Sequence, residues 1–338
     1  MCQVPIPERQ VLVAPDSFKG TFRASEVAGA IGRGLERAGL MPPDLCPVAD
    51  GGEGTVDALL PALGGEIVAA DAHDPLGREL RGSFALVEDG GTAIVETATA
   101  SGLALVAEDE RDAWAASTYG TGELIAAAAA GGAAVVVVAV GGSATSDGGA
   151  GALEAIEDAG GLGGTRLVVL CDVRTVFEHA PKVFGPQKGA DPEMVKRLEG
   201  RLDELAGRWP RDPRGVPMTG GAGGLSGALW AVHQATLEPG APWVLDALDF
   251  DRRMRAARAV ITGEGKLDEQ TLQGKLVGEI GTRARQAGVP LHAIVGTDAL
   301  DGFGKRMIDL MRVIEATDVA ELEAAGETLG RELAEGLA

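Results

Sequence analysis

Residues 124–149 read LIAAAAAGGAAVVVVAVGGSATSDGG, and this stretch decides the fold. Its first half is alanine-rich and suits a helix, Gly131-Gly132 breaks it, and Ala134–Val140 is a valine-rich run of strand length. Leu124–Val140 is nearly all apolar, but the glycine pair splits it and no basic flank is near. A helix, a turn and a buried strand therefore fit it better than a membrane span. After the strand comes Gly141-Gly142-Ser143-Ala144-Thr145-Ser146-Asp147-Gly148-Gly149, a glycine-rich loop that opens into a helix through Ala152 and Ile156. Consecutive backbone N–H groups ahead of a helix make a nest for an anion.

The same succession recurs on either side. Val11–Ala14 is followed by Pro15-Asp16-Ser17-Phe18-Lys19-Gly20, and Leu45–Ala49 by Asp50-Gly51-Gly52-Glu53-Gly54-Thr55. Leu167–Cys171 is followed by Asp172, and Ala259–Thr262 by Gly263-Glu264-Gly265-Lys266-Leu267-Asp268. Helical patterns fill the intervals. Ser25 is the expected cap of a helix through Val27, Ile31 and Leu35 ending near Gly39, and a second helix runs through Val56, Leu59 and Leu60. Asp191-Pro192 opens a helix carrying Val195, Leu198, Leu202 and Leu205. Leu276–Ala287 reads as a helix, Leu291–Val295 and Val313-Ile314 as strands, and Asp318 with Glu321 as the start of a final helix. Such alternation predicts an α/β fold with a parallel sheet. The middle differs: Glu79–Val87, the turn Asp89-Gly90-Gly91 and Ala93–Thr97 read as a hairpin. The expected division is residues 1–72 with 255–338 as one domain, and 73–254 inserted between them as a second, mixed α/β domain.

The strands of a parallel sheet share their carboxyl edge, and ligands bind in the crevice there. Aspartate and glycine are common turn formers, but five loops with an acid directly after a strand exceed what turn chemistry alone requires. Carboxylates without histidines suit Mg²⁺. His73, His179, His233 and His292 are far apart and read as surface or packing residues. Gly220-Gly221-Ala222-Gly223-Gly224, ahead of a helix at Leu225–Val232, is a second candidate nest. Acids, glycine nests and lysines together point to phosphoryl transfer, where the protein positions groups and neutralises developing charge. Neither a G-x-x-x-x-G-K-[ST] loop nor a complete G-x-G-x-x-G is present.

Composition narrows the partners. The 338 residues are 45% hydrophobic, enough for sizeable cores, and the formal net charge of −20 opposes binding to nucleic acid or anionic lipid. Three cysteines, Cys2, Cys46 and Cys171, form no C-x-x-C pair, and Met1–Gln10 has no apolar h-region. The expected compartment is the reducing cytoplasm.

At its loops the chain resembles the bacterial glycerate kinase family. The matching segments are Ala14–Gly20, Ala49–Thr55, Thr118–Leu124, Gly141–Gly149, Val183–Ala190, and Ile261–Gly265 with Leu267-Asp268 and Gln270-Thr271. The resemblance implies ATP, Mg²⁺ and D-glycerate as reactants, with 2-phosphoglycerate favoured over the 3-isomer as product. It also implies two α/β domains around a cleft, one of them flavodoxin-like and built from both chain ends. Another small hydroxy acid as acceptor, or a silent homologue that binds nucleotide or metabolite, are the alternatives. The oligomeric expectation is a monomer or homodimer.

The resemblance places Asp16, Lys19, Asp50, Asp172, Lys188 and Asp268 in the catalytic machinery, with Asp50, Asp172 and Asp268 as candidate metal ligands and Asp268 the first choice of base. Gly141, Gly142, Ser143, Thr145, Gly220, Gly221, Gly263 and Glu264 are candidate nucleotide contacts. Ser17, Gly51, Gly52, Glu53, Arg78 and Thr271 are candidate substrate contacts; Arg78 reads equally as a carboxylate clamp or a solvated turn residue. The chain departs from the family pattern after Asp172-Val173, where Arg174–Pro181 replaces a segment with Asn-Pro-Leu. It is also short between Gly161 and Arg166, and it has Ser146 and Lys266 where Asn and Arg are common.

Overall fold

The structure, a computed structural model, describes residues 9–18, 20–269, 271–273 and 275–336. Its strands in chain order are β1 (Val11–Pro15), β2 (Asp44–Leu45), β3 (Glu66–His73), β4 (Glu79–Val87), β5 (Thr92–Glu96), β6 (Val135–Ala139), β7 (Arg166–Cys171), β8 (Thr236–Pro239), β9 (Ala259–Gly263), β10 (Lys266–Leu267), β11 (Leu291–Val295), β12 (Thr297–Asp298) and β13 (Leu310–Glu315). The chain groups into two compact units, Met1–Ala49 with Val244–Ala338, and Asp50–Trp243. β3, which falls within the flanking segment of the expected division, therefore pairs inside the other unit's sheet.

The first unit is a parallel sheet in the order β13-β11-β9-β1-β2. Numbered within the unit, this is the 2-1-3-4-5 order of the flavodoxin-like fold, whose switch point lies between β1 and its neighbour β9. β1, β9 and β11 are buried along their whole length because both faces are covered. Val11, Val13, Ile261 and Ile294 pack with Val27, Ile31 and Leu35 of helix Ala24–Arg37 and Leu322 and Leu329 of helix Val319–Ala334. On the other face Ala293 and Val295 pack with Val277 and Ile308. The two helices approach closely: a Cβ on Gly34 would lie 2.1 Å from the Glu323 carbonyl oxygen.

Three local expectations are corrected here. Ser25 lies inside the first helix, whose N-cap is Arg23; the Arg23 N–H donates to Glu26 instead. The expected strand at 45–49 pairs as a strand only over Asp44–Leu45; beyond it Cys46 and Val48 N–H groups donate singly to Val13 and Pro15 carbonyls. β13 runs over Leu310–Glu315, longer than the expected Val313-Ile314 pair.

The second unit is a mixed sheet in the order β3-β4-β5-β6-β7-β8. The β4–β5 hairpin pairs antiparallel as expected, with Leu86 opposite Ala93, and β3 adds a second antiparallel edge. β5 to β8 run parallel, so their carboxyl ends share one edge. Val136 and Val138 of β6 pack with Leu124 and Ile125 of helix Tyr119–Ala130, and with Leu225 and Leu229 of helix Leu225–His233. Among the described residues no helix is long and apolar enough to cross a membrane.

Candidate active site

In the first unit the switch point brings two loops together. Asp16 follows β1, is buried, and donates its N–H to Gly263 at the end of β9. Ser17 donates its N–H to the Asp16 carboxylate at 2.6 Å. Beyond Gly263, the Thr271 hydroxyl donates to Glu264 at 2.7 Å and accepts the Asp268 N–H at 3.2 Å. Thr271 is fully buried, so it acts as a strut between Glu264 and Asp268 more readily than as a surface for substrate. The Lys266 ammonium lies 3.5 Å from the half-buried Asp268 carboxylate. Lys19 and Gln270 fall outside the described residues.

In the second unit the loops after the strands crowd at the shared edge. A Cβ on Gly141 would lie 3.0 Å from Gly52 Cα, and one on Gly142 would lie 3.2 Å from the Glu53 carboxylate. The segments Asp50–Glu53 and Gly141–Ser143 are therefore neighbours. The Asp50 carboxylate accepts the Gly52 N–H at 3.0 Å and so tightens its own turn. Gly51 has φ +90°, and a Cβ there would lie 2.4 Å from Gly240 Cα. Only glycine fits that position. Asp172 follows β7; burial pushes the adjacent Cys171 thiol up to about 12, with smaller upward contributions from Asp172 and Asp50.

Asp147 organises the glycine loop. One carboxylate oxygen accepts the N–H and hydroxyl of Thr118, both at 2.8 Å, and the N–H of Gly151; the other accepts the Gly149 N–H. Lys188, in the short 3₁₀ turn Pro186–Lys188, is 2% exposed and donates to the Ser143 hydroxyl at 3.0 Å and to the Thr145 carbonyl. Burial pulls its ammonium down to about 7, opposed by the Asp147 charge. The hydroxyls of Thr97, Thr145 and Ser146 are buried without a hydrogen-bond partner among the described residues. Buried hydroxyls that stay unpaired are costly.

Two expected contacts lie elsewhere. Gly220 and Gly221 are buried, and their N–H groups donate to the Thr175 and Met218 carbonyls. A Cβ on Gly221 would lie 2.7 Å from Cys171 Sγ. These two N–H groups are thereby engaged within the protein. The Arg78 guanidinium is engaged by Asp74, by Glu110 and by the Leu105 carbonyl, which occupies the donors a carboxylate clamp needs.

Sequence reasoning passed over Glu96, Thr97 and the Thr118–Asp147 pairing. Glu96 closes β5 at the same edge, is buried, and is pushed up to about 7 by burial, with smaller effects from Asp57 and Glu53. It carries the signature used elsewhere, an acid at a strand's carboxyl end, but the hairpin pattern over Ala93–Thr97 masks it.

A flavodoxin-ordered sheet with acids at its switch point, and a second sheet edge bearing glycine loops, orphaned hydroxyls and a buried lysine, define an α/β enzyme equipped to handle phosphate. The glycerate kinase family model matches residues 11–159 and 157–334. The chain belongs to the glycerate kinase family. It is 39% identical to the glycerate kinase of Bacillus subtilis, with 86% of each chain covered. It is 36% identical to the glycerate 2-kinase of Escherichia coli, with 85% of each covered. A solved crystal structure from Salmonella typhimurium LT2, described as a candidate glycerate kinase 2, superposes with a TM-score of 0.81 at 32% identity over 98% of both chains.

Proposed function

We propose that the chain transfers the γ-phosphoryl group of ATP to the 2-hydroxyl of D-glycerate with the help of Mg²⁺, giving ADP and 2-phosphoglycerate. The observation that carries the reading is the Gly141–Ser146 loop. Its buried Thr145 and Ser146 hydroxyls have no hydrogen-bond partner among the described residues, and Lys188 stands against Ser143. Phosphate oxygens would satisfy the hydroxyls, and their negative charge would favour a protonated Lys188. The 2-position follows the name of the Escherichia coli relative.

Among the described residues no three His, Cys, Asp or Glu side chains cluster to hold a metal. That suits Mg²⁺, which keeps its waters and takes one or two carboxylates plus substrate phosphate. Asp50 and Asp172 are the proposed holders, and the ion would neutralise phosphate charge. The acceptor oxygen forms the new bond to phosphorus as the bond to ADP breaks. Its proton goes to a carboxylate, for which Asp268 is the proposed base, its backbone N–H donating to Thr271, which in turn donates to Glu264. Gly51, Gly52 and Glu53 in the second unit, and Ser17 in the first, are each proposed as substrate contacts.

An ATP-consumption assay against a panel of small hydroxy acids tests the reading. Turnover with D-glycerate, abolished by chelating Mg²⁺, is expected. Preference for another acceptor, or nucleotide binding with no turnover, would overturn it.

A further inference from the structure

Helix Thr55–Leu63 begins directly after the loop Asp50–Glu53, and its own N-cap, Gly54 at φ +93°, has no side chain to cap it. An uncapped helix start leaves backbone N–H groups in need of acceptors. The acceptor comes from 40 residues away: the Glu96 carboxylate takes the Val56 N–H at 2.7 Å, and the Gly54 N–H adds a smaller favourable interaction with its charge. Glu96 is fixed in turn, because it ends β5 opposite Ala139, at the edge from which Gly141 emerges. The next residue, Thr97, donates its N–H to the Ala139 carbonyl at 3.0 Å. One carboxylate thus ties the entry of the helix to the sheet edge carrying the phosphate-type loop.

We infer that Glu96 is a positioning residue, whose ionised carboxylate holds the Asp50–Glu53 loop in its working place against Gly141 and Gly142. This rests on the proposed function, which puts that loop in the site. An ionised carboxylate accepts the Val56 N–H and attracts that of Gly54. A protonated one carries an O–H donor and loses part of that capacity. The charged groups facing Glu96 are Glu53 from the loop and Asp57 from the helix, both acidic and both favouring the protonated form along with burial. Backbone N–H groups of Gly54 and Val56 act the other way. The sum leaves the carboxyl titrating near 7, so the tether weakens within the neutral range.

The test is the pH profile of kcat/KM for ATP and D-glycerate, read beside hydrogen exchange of the Val56 amide corrected for intrinsic rate. In the parent enzyme both activity and amide protection are expected to fall below pH 7, by about tenfold at one unit below the group's pKa. Glu96→Gln keeps the shape and one acceptor, and is expected to give a lower but flat acid limb and pH-independent protection. Asp57→Asn is expected to move the limb to lower pH. An unchanged acid limb and unchanged pH-dependent protection in Glu96→Gln would overturn the inference. If the parent enzyme turns over no D-glycerate, the functional reading fails, and the exchange measurement still decides the role of Glu96.

Discussion

Asp268 and Lys188 are the two side chains whose chemistry is most exposed to test. If Asp268 takes the acceptor's proton, Asp268→Asn should lower kcat by at least ~10²-fold with little change in KM for ATP. Near-normal turnover would remove it as base. Lys188 has a folded value of about 7 against an ordinary 10.5, so above pH 7 the unfolded chain binds more protons at this position than the folded one. Stability of the ligand-free protein should therefore rise as pH increases from about 7 to 9. Above 9 the buried thiols of Cys46 and Cys171, raised to about 11 and 12, act oppositely, since only the unfolded thiols ionise there. Lys188→Met should flatten the rise between 7 and 9 in thermal melts while removing activity. A rise that persists in the variant would assign it to another group.

The elements that position these residues divide by how local their signals are. Helix Val319–Ala334 was readable because its cap is four residues long: Asp318 accepts the Glu321 N–H at 2.8 Å. Asp318→Ala should cost about 1 kcal/mol without touching kcat. The loops after β1, β6, β7 and β9 were readable for the same reason, an acid or glycine directly after an apolar run. What lay hidden depends on partners distant in sequence. Arg23 and not Ser25 starts the first helix because Glu26 reaches back to it. Gly220–Gly224 looks like an anion nest in isolation, but Thr175 and Met218 already take the N–H groups of Gly220 and Gly221. Arg78 looks like a clamp until Asp74 and Glu110 are seen on it. Asp147 joins Thr118, 29 residues away, to the glycine loop. Asp147→Ala removes these bonds from a buried site and should cost about 3 kcal/mol or more, measured by denaturant unfolding. Gly51→Ala should cost at least about 1–2 kcal/mol from its left-handed backbone. Its collision with Gly240 should also displace the Asp50 turn, raising KM.

For the molecule as a whole, a net charge of −20 sets a repulsive background for ATP and for glycerate, both anions. Association should therefore speed up as salt screens that field, with KM for ATP falling between about 10 and 150 mM ionic strength. A KM that rises with salt would mean local cations dominate the approach. Under the proposed function, Asp16, Glu264 and Asp268 would act from the first unit, and Asp50, Gly141, Ser143 and Lys188 from the second. The decisive measurement is phosphorus NMR of the product formed from ATP, Mg²⁺ and D-glycerate by the purified chain. The expected result is a 2-phosphoglycerate signal growing with ADP. A 3-phosphoglycerate signal would contradict the regiochemistry, and no new phosphomonoester would contradict the proposed reaction itself.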